Sequence, residues 1–575
     1  MPKMSSAVSV KVKHNGVVHD VTLDPSSPAS AFKDAIYQKT GVPLDRQKVM
    51  IKGGMLKDDA DMTKLSAKPG QTFMLLGTAG PLPSAPKMNI TFIEDMDDSE
   101  LAKATRTKAG LTNLGNTCYL NSTLQVLRAV PELQLALNNF APGMGGVDGE
   151  SNLTAALREL YKAMGSTTEA FPPLAFLSIL RQVAPQFAEM AQSSQPGMGG
   201  GGYAQQDAEE VWVRILNALQ ASLGGLPASS AGGSTSGGNT KFVEQFMTGR
   251  ITVKRSTAEA ASEEPTYGEE PFSVLQCNIS SSTNEMTSGI LDSLNQQLEK
   301  HSDTLGRTAV YDEVRRVDRL PAYLTTHFVR FYWRRDINKK TKIMRKVKFP
   351  FDLDVTPFLS GALKEKIAPA HAKILSVEKD RDERAKNRRK AKAQREKDVK
   401  SDAAKNADPA SLGTATSGGI DAPISSDPRA TDQTEERMGN ASSTGAVDAK
   451  SQPGQALSDE DERALRAKED ADVKASVHPD LAKDTGCNYS GLYELVGVVT
   501  HKGAAADAGH YISWVRKDLE SDEEALQRIT EKPDEQEWYK FDDDRVSTVS
   551  KDKIRALDGG GEDSVAYILL YRSKK

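Results

Sequence analysis

The sequence predicts an α+β protein in two folded parts, and three observations carry that prediction. The first is an order of strand, strand, helix, strand, strand within about the first 80 residues. The second is a cysteine, Cys118, delivered by a Gly/Asn-rich turn to the start of an apolar helical pattern. The third is a pair of strand-like runs near the other end, one opening with His510 and one carrying Asp542, Asp543 and Asp544 in succession.

The N-terminal elements follow in order. Ser9 to Lys13 and His19 to Leu23 alternate apolar and polar, and Asn15-Gly16 between them is a two-residue hairpin signal. Ser27 and Pro28 read as an N-cap and a first-turn proline, Phe32 and Ile36 share a helix face, and Gly41 ends that helix. Apolar runs at Lys48 to Ile51 and Thr72 to Leu76 supply two more strands. This order in this length is a compact β-grasp, placed at residues 6–80.

In the run Gly110-Leu-Thr-Asn-Leu-Gly-Asn-Thr-Cys118, the spacing of Leu120, Leu124 and Leu127, with Pro131 as a stop, predicts an amphipathic helix over 119–130, buried on one side. The unpaired N–H groups at its start favour thiolate over thiol. Asn113 lies five residues ahead, in a turn built from Gly110, Gly115 and Asn116, and is a candidate donor beside a nucleophile. A thiolate needs a base. His510 heads the strand-like run to Arg516, after the small-residue segment Lys502 to Gly509, and a second strand-like run covers 538–549. Paired as a hairpin, the two bring a carboxylate to the imidazole, as a cysteine-protease triad requires. Asp542, next to Phe541, is the better candidate, and Asp544 reads as a solvated turn residue.

These runs, in this order and separation, resemble the Cys and His boxes of the ubiquitin-specific proteases, a papain-like family with fingers, palm and thumb. The resemblance implies that Cys118 is the nucleophile, Asn113 the oxyanion-hole amide, His510 the general base and Asp542 the carboxylate that orients it. Gln205-Gln206-Asp207-Ala208 is similar to the family segment that holds the extended tail of the substrate, which implies that role for Asp207 and Gln206. Tyr511 is implied to wall the tail channel, beside a plain reading as a hydrophobic strand position. Arg319 to Arg330 resembles the palm strand ahead of a mobile surface loop, Phe331 to Lys342.

Residues 41–53, GVPLDRQKVMIKG, resemble ubiquitin-like domains. The chain runs on past Gly77-Thr-Ala-Gly80 without a double-glycine tail, so the resemblance implies a docking domain and not a conjugated modifier. Met50, Met74 and Leu76 map to the apolar patch by which such domains bind receptors, although alternation alone would send one or two of them to the core. A ubiquitin-like domain ahead of such a protease, with the segment Phe92 to Met96 and the run Gly559 to Tyr567, is similar to the proteasome-associated branch of the family. That implies ubiquitin and ubiquitinated proteins as substrates, cleavage through a thioester, and docking on the 26S proteasome regulatory particle. It also implies loops, Lys502 to Gly509 and Phe331 to Lys342, that cover the channel until docking moves them. A protease for another ubiquitin-like modifier and a silent ubiquitin-binding scaffold are the alternatives; all four site positions being intact argues against the scaffold.

The protease part is placed at 106–574, after a linker at 81–105, with an interruption at 371–485. Glu378 to Lys400 is almost wholly charged and helix-favouring, and 401–470 is rich in Ser, Ala, Gly, Asp and Pro. A charged helix followed by disorder is predicted, because such composition buries too little apolar surface to offset the entropy of ordering. The basic run Lys386 to Lys392 offers a nuclear-import or nucleic-acid patch, but within a helix that also carries Glu and Asp on either side it reads first as a solvated helix face. A net charge of −5 argues against nucleic-acid affinity. The absence of an N-terminal signal and of any bilayer-length apolar stretch predicts no membrane association and a cytoplasmic and nuclear location. Three cysteines, Cys118, Cys277 and Cys487, are far apart and form no CxxC, which predicts a reducing compartment, no structural zinc and no other cofactor.

Overall fold

The computed structural model describes residues 7–51, 54–58, 60–77, 108–191, 202–227, 240–260, 263–336, 339–405, 457–503, 509–517, 536–559 and 563–574. The predicted linker at 81–105, the glycine-rich stretch 196–201, most of the Gly/Ser loop 223–239, residues 504–508 and the predicted disorder over 406–456 lie outside the described residues. The chain divides into two compact units, with the boundary between Phe92 and Ile93.

In the first unit, β1 (Val8–His14) and β2 (Val17–Leu23) form a hairpin, followed by α1 (Ala29–Thr40), β3 (Lys48–Ile51), β4 (Gly54–Met55) and β5 (Thr72–Leu76). The sheet order is β2-β1-β5-β3-β4, with β1 and β5 parallel at the centre, as the β-grasp reading expects. Asn15 and Gly16 both take positive φ, 47° and 84°, the geometry of the turn that matches strand twist. Alternation buries Val49, Phe73 and Leu75 against Phe32 and Ile36 and turns Met50, Met74 and Leu76 outward. Their exposures of 44%, 53% and 51% settle that none of the three belongs to the core. One detail differs from expectation: Pro28 occupies the N-cap position and no side chain caps α1, since the Ser27 hydroxyl is spent on Asp24.

The second unit packs a helical half against a curved sheet. The helix Cys118–Leu127 starts one residue earlier and ends three residues earlier than predicted, and it is buried on every side, because the strand His510–Arg516 and the helix Ala208–Ser222 both cover it. The eight-stranded sheet runs Arg545–Ser550, Glu537–Asp542, His510–Arg516, Leu492–Lys502, Val565–Ser573, Tyr323–Val329, Val274–Asn278, with Asp352–Asp354 added beside Leu492–Lys502. The run 538–549 is therefore two strands and not one. It breaks at Asp543, whose φ of 53° reverses the chain. A separate four-stranded sheet is built on the long strand Arg307–Arg319. Phe331 to Lys342, expected as a loop, is a hairpin pairing Phe331–Arg334 with Lys339–Lys342.

The interruption at 371–485 also departs from expectation. Its first helix, Gly361–Lys405, grows straight out of the core, and a second helix, Asp459–Ala475, lies against it. Ile374, Val377, Val473 and Leu492 make a small apolar contact near the base. Farther out the seam is ionic: Arg381 pairs with Glu469 at 2.7 Å and Asp470 at 2.8 Å, and Arg384 with Glu462 at 3.1 Å and Glu469 at 2.8 Å. Glu462, Glu469 and Val473 recur at helical spacing on one buried face. Two of the three are glutamates, so no apolar stripe marks that face in the sequence.

Candidate active site

The turn ahead of Cys118 is shaped by its own side chains. Asn113 Oδ1 accepts from the backbone N–H of Gly115 at 3.0 Å and of Thr117 at 3.2 Å, and Thr117 Oγ1 accepts from Leu114 N–H at 2.9 Å. Cys118 then begins the helix, and Thr117 in the N-cap position offers it no side-chain cap. The sulfur thus stands at the positive end of a buried helix.

His510 reaches Asp542 with Nε2, 2.6 Å from Oδ1. Pairing of Ser513 with Phe541 sets this contact, because it leaves both residues at the same end of adjacent strands. Nδ1 is the ring nitrogen left for Cys118. The hydrogen bond with Cys118 is the main cause that raises the His510 pKa to about 9; burial opposes it and Asp542 adds to it. An imidazolium so held is the natural partner of a thiolate. Asp542 also receives Lys540 Nζ at 2.8 Å. Burial works against the Asp542 charge, but the bonds from Lys540 and His510 outweigh it and hold the carboxyl below its ordinary range.

Asp543 braces the other side. Its carboxylate accepts from Asn113 Nδ2 and from Asn121 Nδ2, each at 2.8 Å, and its carbonyl accepts from Leu111 N–H at 2.9 Å. A Cβ on Gly110 would lie 2.5 Å from the Asp544 carbonyl oxygen, so only glycine lets the two turns meet.

The segment before the helix Ala208–Ser222 closes the site. Asn116 Nδ2 donates to the Tyr203 carbonyl at 2.9 Å, and Gln205 touches both Cys118 and Gly509. Asp207 caps the helix through Glu209 N–H and receives the Tyr567 hydroxyl at 2.6 Å. Gln206 is half-buried alongside. Tyr511 is only 1% exposed and packs edge-on against His501, at 4.8 Å between ring centres, and at a tilt on Tyr567. In this ligand-free state it is a core residue. Beneath it, burial, with help from Lys342, drives the His501 pKa down to about 3, so the ring is neutral.

The neck of the hairpin Phe331 to Lys342 is held by two cations. Arg330 is fully buried and donates to the carbonyls of Ala566, Ile343 and Arg345; Lys342 donates to those of His501 and Gly503 at 2.8 and 2.9 Å. Burial lowers Arg330 to about 10 and Lys342 to about 8. The other cysteines, Cys277 and Cys487, are pushed up to about 12 by burial and stay protonated.

A family model described as ubiquitin carboxyl-terminal hydrolase matches residues 109–571, and one described as ubiquitin family matches residues 8–80. The chain belongs to the ubiquitin carboxyl-terminal hydrolase family. It is accordingly a thiol-dependent deubiquitinase with an N-terminal ubiquitin-like domain. This hydrolase is similar to ubiquitin carboxyl-terminal hydrolase 6 of Schizosaccharomyces pombe, 36% identical with 99% of each chain covered. Its likeness to ubiquitin carboxyl-terminal hydrolase 6 of Arabidopsis thaliana is 35% over 99% of this chain and 98% of the other. Ubiquitin carboxyl-terminal hydrolase 14 of Caenorhabditis elegans is 27% identical over 98% and 93%. A solved SAGA Ubp8/Sgf11/Sus1/Sgf73 DUB module bound to ubiquitin aldehyde matches at 16% identity and a TM-score of 0.43, covering 81% of this chain and 70% of that one.

The geometry brings Cys118, His510, Asp542 and Asn113 together in the hydrolase, with Asp207 and Tyr511 linked behind them through Tyr567. It adds Gln205, Asn121 and Lys540, which sequence reasoning did not single out, and it gives Asp543, named there beside Asp542, the bracing role. Asp543 and Lys540 were visible as neighbours of Asp542. Nothing in the spacing marks Asn121, which acts from one turn inside the helix.

Proposed function

We propose that this hydrolase cleaves the bond between the terminal glycine of ubiquitin and a substrate amine through a thioester on Cys118. The observation that carries the reading is the 2.6 Å contact of His510 with Asp542, with Cys118 near enough to the same imidazole to raise its pKa. The Cys118 sulfur attacks the glycine carbonyl, Asn113 and the Cys118 N–H receive the oxyanion, and His510 protonates the departing amine. His510 then takes a proton from water, which cleaves the thioester and restores the thiolate–imidazolium pair. Asp542 keeps the ring oriented throughout, and Asp207 and Gln206 line the approach of the tail, with Tyr511 packed behind them.

We assign the ubiquitin-like domain to docking on the regulatory particle of the 26S proteasome, in the cytoplasm and nucleus. Its support is the outward face that sets Met50 directly beside Met74 and Met55 across the sheet, with Leu76 next in the same strand. Docking is proposed to relieve cover of the channel by the hairpin and by the segment ahead of His510.

The test is labelling with a ubiquitin whose C-terminus carries a thiol-reactive group, with and without proteasome, followed by mapping of the modified residue. Modification at Cys118, accelerated by proteasome and dependent on Met50 and Met74, is the expected result. Labelling elsewhere overturns the nucleophile assignment, and acceleration that survives Met50→Asp with Met74→Asp overturns the docking assignment.

A further inference from the structure

We propose that Gln205 is a further catalytic residue, one amide that stabilises the Cys118 sulfur as an anion and fixes the residue before His510. Gln205 Oε1 accepts from Gly509 N–H at 3.0 Å, and its Nε2 lies 3.8 Å from Cys118 Sγ. The orientation of the amide is not arbitrary. A backbone N–H can only donate, so the oxygen must face Gly509, and the NH₂ group is thereby turned to the sulfur.

The placement lets this side chain bridge the sulfur itself and the residue before the base. Cys118 belongs to the helical half, and Gly509 with His510 belongs to the sheet. Gln205 reaches both from a third segment, the one leading into the helix Ala208–Ser222. That segment is itself pinned on both sides, by Asn116 to Tyr203 near the nucleophile turn and by Tyr567 to Asp207 on the sheet. A side chain held this way can keep the thiolate and the imidazolium at one separation. A hydrogen bond to a charged sulfur is also worth more than one to a neutral thiol, so the donor favours the ionised pair.

This inference rests on the thioester reading above, and two substitutions separate its parts. Gln205→Glu keeps an oxygen for Gly509 but replaces the donor at the sulfur with a negative charge; Gln205→Ala removes both contacts. In the full-length protein, alkylation of Cys118 by iodoacetamide is followed by mass spectrometry across pH. Turnover of a fluorogenic ubiquitin amide is measured alongside, and ubiquitin binding is measured with Cys118→Ala added. The expected result is that the pH midpoint of alkylation moves up by about one unit in Gln205→Ala and further in Gln205→Glu, since one unit corresponds to a tenfold loss of the ionised form. Turnover should fall about tenfold or more, with ubiquitin affinity within about twofold of the parent.

Normal alkylation and turnover in Gln205→Glu, with a defect only in Gln205→Ala, would reduce Gln205 to a clamp on Gly509 and overturn the proposal. Should Gln205→Ala fail to fold, the alkylation midpoint of Gln205→Glu decides alone. Failure of the parent protein to react with the ubiquitin probe at Cys118 would instead strike the underlying reading of function.

Discussion

Asn113 and Asp543 are joined by a 2.8 Å hydrogen bond from Nδ2 to Oδ2 that spans 430 positions of sequence. The bond fixes one N–H of the Asn113 amide and, with Oδ1 already receiving Gly115 and Thr117, aims the remaining N–H. The two neighbouring aspartates therefore divide the work: Asp542 holds the base, and Asp543 holds the amide proposed to receive the oxyanion.

From that division, Asp542→Asn should lower turnover by about a hundredfold or more, since it removes the group that orients the imidazole. Asp543→Asn keeps one acceptor for two amide donors, so its main effect should be a stability loss of about 1–3 kcal/mol, with a smaller loss of turnover. Steady-state kinetics and thermal melts of both variants check this. A larger turnover loss for Asp543→Asn would transfer the orienting role to it.

Asn113→Ala should cut turnover by about a hundred- to a thousandfold, the usual effect of losing one oxyanion donor. It also leaves the N–H groups of Gly115 and Thr117 without their acceptor, so the melting temperature should fall as well. Unchanged turnover with a lowered melting temperature would leave Asn113 as a turn-former only.

A third expectation concerns pH. The folded His501 pKa is depressed by burial to about 3, against about 6.5 for a free imidazole, so the unfolded chain takes up a proton that the folded chain refuses. The contribution of this buried neutral ring is complete above about pH 6.5 and is lost as pH falls toward 3. His501→Leu should therefore melt at a temperature that declines less between pH 7 and pH 5 than the parent's. His510 runs the other way. Its folded pKa is raised to about 9, so its contribution is full below about 6.5 and is lost as pH rises through 9. A His501→Leu profile that runs parallel to the parent's between pH 7 and pH 5 contradicts the His501 assignment.

The interruption offers a fourth. Replacing 376–480 with a short Gly/Ser linker removes buried Val377 and Val473, the Arg381 and Arg384 pairs, and the contact of Glu378 with Lys574. A drop in melting temperature of about 5 °C is expected, on the scale by which 1 kcal/mol moves a domain of this size a few degrees. A shorter excision of 392–457 spares these contacts and should leave the melt and the basal rate unchanged. Equal melts for the two deletions would return the arm to the solvated status its composition suggests.

What the sequence made legible is what short-range chemistry writes. The Asn15-Gly16 turn, the helix stop at Gly41, and the nucleophile and base strands each follow from residues within a few positions of one another. Gln205, Asn121 and Asp543 were not legible as a set, because their contacts join segments brought together only by the sheet order. The second arm helix was missed for a different reason. A face formed by Glu462 and Glu469 carries no apolar period, and it becomes buried only when Arg381 and Arg384 lie opposite. The burial of Tyr511 likewise depends on which neighbour strand covers it.

The hydrogen bonds of Lys342 and Arg330 go to carbonyl oxygens, and neither forms a salt bridge among the described residues. An ammonium kept from water without a counter-charge is under constant pull toward the solvent, and the carbonyl dipoles that restrain it recover only part of its hydration. Lifting the hairpin would let Lys342 be hydrated again at the moment its bonds break, so the two costs offset. Rehydration of Lys342 would thereby lower the cost of parting the hairpin from the strand that ends at Lys502.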